Sequence, residues 1–294
     1  MKAAIKYFII WILINVIAWM AVIWIGYLGG ALIGHPLKGT EILENSWIIS
    51  IALLLTDLLV IYVFWKRKYA NFKFNYGYTY GETFSTKQLF LWAAVSAIGL
   101  LIFDVMASIY LPIPEDLEVS NMLAKLMTNP IGLLGACLIG PLAEEVFFRG
   151  AIERRLLEKN WNPWFAIVIS AVLFAVTHLN FAQGVTAFVI GIFMGWVYYR
   201  TRSIWVTALI HMVNNTVACI ISLMAPESMN DEAFTLPLSI GIPLTIVSIV
   251  IIYITAKKIG WLTKDRTPIP APVAEVLPPP LPTEVIGDAM PPEE

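Results

Sequence analysis

The amino-acid sequence predicts an all-α, polytopic membrane protein of about eight transmembrane helices, followed by a disordered Pro-rich tail. Three observations carry this. The 294-residue chain is 59% hydrophobic and 14% charged, with mean hydropathy +0.75; soluble domains carry about 25% charged residues. Apolar runs near the roughly 20 residues needed to cross a bilayer recur along the chain. Lys and Arg sort to alternate connections between those runs, the asymmetry that fixes membrane orientation.

The first run, 7–33, follows only Lys2 and Lys6. It is far longer than the apolar region of a signal peptide and lacks a clear cleavage site, so it is read as a retained span. The second, 47–65, runs into Lys66-Arg67-Lys68, and the third, 89–112, follows Lys87. The fourth, 130–157, ends in charged turns. The fifth, 163–180, starts beyond a short turn at Asn160-Trp161-Asn162-Pro163. The last three, 184–200, 204–224 and 236–256, are bounded by Arg200 and Arg202 and then by Lys257 and Lys258. With the amino terminus inside, 17 of the 19 basic residues fall on the cytoplasmic side and only Lys38 and Lys125 outside, which places both termini in the cytoplasm. The opposite loops are acidic (Glu115, Asp116 and Glu118; Glu227, Asp231 and Glu232) and are read as solvated. Eleven Trp and eleven Tyr suit interfacial belts. Residues 1–266 form the transmembrane domain. From 267 to 294 the chain is Pro-rich and is expected to be a disordered cytoplasmic tail. Cys137 and Cys219 both lie in apolar stretches, which gives neither a disulfide framework nor a Cys-rich metal site. No internal repeat of the transporter kind is evident.

Chemistry enters with Glu144 and Glu145, adjacent in an otherwise apolar helix. A carboxylate at the centre of a spanning helix costs roughly 2.5–3.5 kcal/mol on insertion scales, so two imply use. His178 and His211 fall inside later apolar runs. Taking Trp161 as the apex of a hairpin, Glu144 and His178 each stand 17 residues away, so the two are predicted to face each other at equal depth. Glu145 and Arg149 are i and i+4 with the carboxylate N-terminal, the favoured order. Glu144 points about 100° away and stays available as a base. His211 and Asn215 repeat the spacing, as do Phe174 and His178, where the ring would wall off the imidazole. Asp57 and Asp104 have no obvious partners and are read as structural or interfacial, with contact to the site as the alternative; His35 sits in a loop and is assigned no role.

The ordered set Glu144-Glu145-x-x-x-Arg149, Phe174-x-x-x-His178 and His211-x-x-x-Asn215 resembles the CAAX protease and bacteriocin-processing family, also called the Abi family, of intramembrane endopeptidases. The likeness covers about 125–220, the expected catalytic core. It implies that Glu144 and His178 activate a water, that His211 and Asn215 hold the oxyanion, and that Glu145, Arg149 and Phe174 support them. Glu144, His178 and His211 also offer three ligands for Zn²⁺ with an open position. There is no HExxH motif, and Asn215 is the more natural partner of His211, so no cofactor is favoured and zinc is the alternative. The expected partners are a membrane-embedded or membrane-associated protein or peptide, lipidated or not, and the bilayer; no nucleic acid is expected. The small loops point to a bacterial cell membrane.

Two rivals make distinct predictions. A transporter or proton relay requires a polar path across the whole bilayer, whereas these groups cluster at similar depth. A non-enzymatic scaffold or immunity protein would keep its function without Glu144.

Overall fold

Without water in the bilayer core, each backbone N–H and C=O must be satisfied internally, and apolar runs therefore fold as helices. The computed structural model describes residues 2–32, 34, 39–111, 124–224 and 236–269. Its elements are α1 (Lys2–Leu32), the short α2 (Gly39–Glu44), α3 (Ser46–Lys66), β1 (Tyr78–Thr79) and α4 (Thr86–Tyr110). There follow α5 (Pro130–Glu158), α6 (Pro163–Val176), α7 (Phe181–Thr201), α8 (Ile204–Met224), α9 (Leu238–Leu262) and β2 (Thr267–Pro268). Among the described residues, seven helices are long and apolar enough to cross a membrane, and α6 is a shorter apolar one. The protein is an all-α, multi-pass membrane protein. The acidic loops, His35 and the tail from 270 onward lie outside the described residues.

The fifth apolar run departs from its predicted span. Helix α6 has 14 residues and stops at Val176, a rise of about 21 Å against a hydrocarbon core of about 30 Å. Leu179 adopts the left-handed conformation (φ 55°), and Asn180 caps α7 by accepting from the Gln183 N–H at 3.2 Å. His178 therefore stands in the turn between α6 and α7, not inside a helix. The cap competes with helix continuation and wins.

Helix α5 is central. It packs on α3 and α8, and its second half meets α6, while α4 lies against α8 and α9. Asn129 starts it, accepting from the Gly132 N–H (2.9 Å) and donating to Ser50 Oγ of α3 (3.0 Å). Within α5, the α-helical turns Gly140–Phe147 are flanked by π-helical segments Gly135–Ile139 and Phe148–Glu153. Such segments disturb the regular carbonyl ladder and are frequent at functional sites. Here neighbouring helices use two of the carbonyls: Ser170 Oγ donates to Phe148 O and Asn215 Nδ2 to Ala136 O, each at 3.1 Å. On α7, Gly191 and Gly195 form a small-residue stripe that admits close neighbours. A Cβ at Gly191 would stand 3.1 Å from Ala171 Cβ, and one at Gly195 would stand 2.9 Å from a Glu153 carboxylate oxygen.

Helix α1 presents Ile5, Ile9, Leu13 and Ile17 outward, as a lipid-facing helix does. On the Lys/Arg-rich side, β1 and β2 pair antiparallel with Tyr78 opposite Pro268. Tyr80 Oη donates to Thr201 O at 2.7 Å, Arg200 Nη2 to Gly260 O at 2.9 Å, and Arg266 to Tyr199 O. These bonds tie α7, α9 and the α3–α4 connection together.

Candidate active site

The two glutamates divide as their helical angles require. Glu145 is fully buried and receives Arg149 Nη1 at 2.6 Å, the guanidinium being fully buried as well. Arg149 also donates to Gly191 O at 3.2 Å and lies over the Phe174 ring, 4.8 Å from its centroid. Glu144 keeps a side chain 36% exposed.

Helix α8 brings His211 between them. Its Nδ1 hydrogen-bonds Glu145 Oε1 at 3.2 Å, and its Nε2 lies 3.6 Å from Glu144 Oε2. Glu145 thus has two partners, where the sequence had suggested only Arg149. It links the cation on its own helix to the imidazole on another, and so fixes the His211 ring plane.

Phe174 is the hub. Its ring meets His178 edge-on at 4.8 Å and His211 edge-on at 5.6 Å between centroids. His178 Nδ1 is 2.9 Å from Phe174 O. A carbonyl can only accept, so Nδ1 carries a proton and Nε2 is the nitrogen left facing away from that carbonyl. One turn beyond His211 on α8, Asn215 spends one amide N–H on Ala136 O and retains a second. Glu144, Glu145, Arg149, Phe174, His178 and His211 are thereby joined in one cluster, with Asn215 beside it on the α5–α8 contact.

Three carboxylates belong to this neighbourhood that the sequence left aside. Asp57 of α3 sits over Gly140, its Oδ2 3.3 Å from where a Cβ would be, and acts electrostatically on Glu144, which lies one turn along the same helix. Asp104 of α4 lies near the Thr186 side chain and in electrostatic range of His178. Glu153, one turn beyond Arg149, is fully buried, and neither of its oxygens has a hydrogen-bond partner among the described residues. Their signal was present: an ionisable residue inside a spanning helix faces the bundle interior. Among the described residues, no three His, Cys, Asp or Glu side chains are arranged to hold a metal ion.

Fold and cluster together define a class, a multi-pass membrane protein with a buried Glu–Arg–His centre on α5, α6 and α8. Residues 126–217, which contain every residue of that centre, match the family described as type II CAAX prenyl endopeptidase Rce1-like. The chain is 30% identical over 109 residues, 37% of its length, to the candidate membrane peptidase YdiL of Bacillus subtilis (strain 168). It is 29% identical over 153 residues, 49% of this chain, to the membrane-embedded CAAX protease MroQ of Staphylococcus aureus (strain USA300). The matches span 44% and 62% of those two proteins. No solved structure matches.

Proposed function

We propose that this protein is an intramembrane endopeptidase that hydrolyses a peptide bond in a membrane-associated or lipidated protein or peptide. The observation that carries the reading is the placement of His211, held by buried Glu145 on one nitrogen and directed by the other at the partly exposed Glu144. A membrane bundle has little structural reason to maintain so costly a constellation. The name of the staphylococcal relative, a membrane-embedded CAAX protease, points the same way.

In this reading Glu144, with His178 Nε2, takes a proton from a water molecule as its oxygen attacks the scissile carbonyl carbon. The developing oxyanion accepts from His211 Nε2–H and from the free N–H of Asn215, donors worth a few kcal/mol each in a water-poor site. To donate there while Nδ1 donates to Glu145, the His211 ring carries both protons. Collapse breaks the C–N bond, and the leaving amine takes the proton held by Glu144. The basic-residue asymmetry orients the chain with both termini in the cytoplasm.

A zinc-dependent version would use Glu144, His178 and His211 as ligands. Both imidazoles present Nε2, but no three-ligand group is arranged for a metal among the described residues. Metal analysis of the purified, active protein decides: activity without stoichiometric zinc is expected. One tightly bound zinc per chain, with activity lost on its removal and restored on its return, would overturn the metal-free mechanism.

A further inference from the structure

Helix α3 ends at Trp65-Lys66, and the chain continues into Arg67-Lys68. The helix is stopped by Lys68 in the left-handed conformation (φ 54°), with the Tyr69 and Ala70 N–H groups both donating to Phe64 O. Glycine adopts that conformation without steric cost, and lysine does not. The connection that follows is firmly held. Arg154 Nη2 donates to Tyr69 O at 2.6 Å, Trp205 Nε1 donates to Phe72 O at 2.9 Å, and Ala70 packs on Gly150 of α5.

These restraints shape a cleft of about 860 Å³ whose walls carry Lys66, Lys68, Lys73 and Arg154 beside Trp65 and Tyr76. No carboxylate lines it. Arg154 shares its guanidinium with Glu158 (2.7 Å) and Lys66 donates to Tyr62 Oη (2.8 Å). Lys68 and Lys73 are exposed and form no ion pair among the described residues. Below the cleft, α3 exposes Leu55, Leu58, Leu59 and Tyr62 at helical spacing, and Trp65 at its rim is 60% exposed. A cationic cradle continuous with an apolar stripe suits a ligand that has an anionic head and a hydrocarbon body.

We propose that this cleft binds the headgroup of an anionic phospholipid whose acyl chains run down the exposed face of α3. A free phosphate or an acidic peptide would use the cradle but not the stripe. The site is independent of the proteolytic reading.

The test is native mass spectrometry of the detergent-purified full chain with phosphatidylglycerol or phosphatidylcholine. Wild type is expected to retain phosphatidylglycerol preferentially. Lys68→Gln/Lys73→Gln should lower that retention about tenfold, since each juxtamembrane cation contributes appreciably to anionic-lipid binding. Lys257→Gln/Lys258→Gln, on the same face but away from the cleft, should leave it unchanged, and Leu58→Asn/Leu59→Asn should weaken it without altering thermal stability. Equal retention of both lipids, equal loss in both lysine variants, or displacement by inorganic phosphate or a poly-glutamate peptide would each overturn the proposal.

Discussion

Glu144 and Glu145 share a helix turn but not an environment. Glu145 is enclosed with Arg149, and removing one member of a buried pair strands the other charge. Glu145→Leu is therefore expected to destabilise the protein by about 3–5 kcal/mol, read as a loss of folded protein in a detergent thermal melt; an unchanged melt would refute the buried-pair account. Asp57 belongs to a different category. Asp57→Asn, over Gly140, removes a charge that acts on Glu144 and is expected to change kcat with KM and the melt unchanged. At this scale much of the candidate site was legible. Spacings of four placed Glu145 with Arg149, Phe174 with His178 and His211 with Asn215, and all of them lie in or beside the cluster. The bond from His211 to Glu145, and the roles of Asp57, Asp104 and Glu153, were not legible. Spacing tells which face of a helix a residue occupies, and only packing tells which other helix meets that face.

At the scale of elements, the apolar runs gave helices close to their expected places, and the departures came from local polar chemistry. Helix α6 ends early because Asn180 caps its successor, and this puts His178 in a turn where its Nδ1–H reaches the Phe174 carbonyl. The π-helical segments of α5 have no simple periodicity signature, since they depend on Asn215 and Ser170 arriving from other helices. The close approach of α7 to α5 and α6 rests on Gly191 and Gly195. Gly195→Val is expected to displace Glu153 or push α7 outward, and to remove most folded protein from a size-exclusion profile in detergent. A wild-type profile would contradict the packing described. The Asn129 cap makes a milder prediction: Asn129→Ala should cost about 1 kcal/mol, together with its bond to Ser50.

Across the whole molecule, the Lys/Arg-rich face is tied together by β1, β2 and Tyr80. Burial pushes the Tyr80 hydroxyl up to about 12, against the partly opposing effect of Arg266 and Arg202. A pKa raised on folding contributes stability that is present below the ordinary phenol range, near 10, and is lost as pH rises through about 12. Melting temperature should therefore fall over that window in wild type and fall less in Tyr80→Phe; equal alkaline loss in both would place the sensitive group elsewhere.

The central claim is that Glu144 is the base of a peptide-bond hydrolysis. The most direct measurement compares detergent-purified wild type with Glu144→Gln on a membrane-peptide library, with products read by mass spectrometry. Glutamine keeps the shape and the partly exposed position while removing the base. The account predicts cleavage by wild type and a loss of several orders of magnitude in the variant, with both proteins equally folded. Equal cleavage by the two proteins, or no cleavage by either, would contradict it.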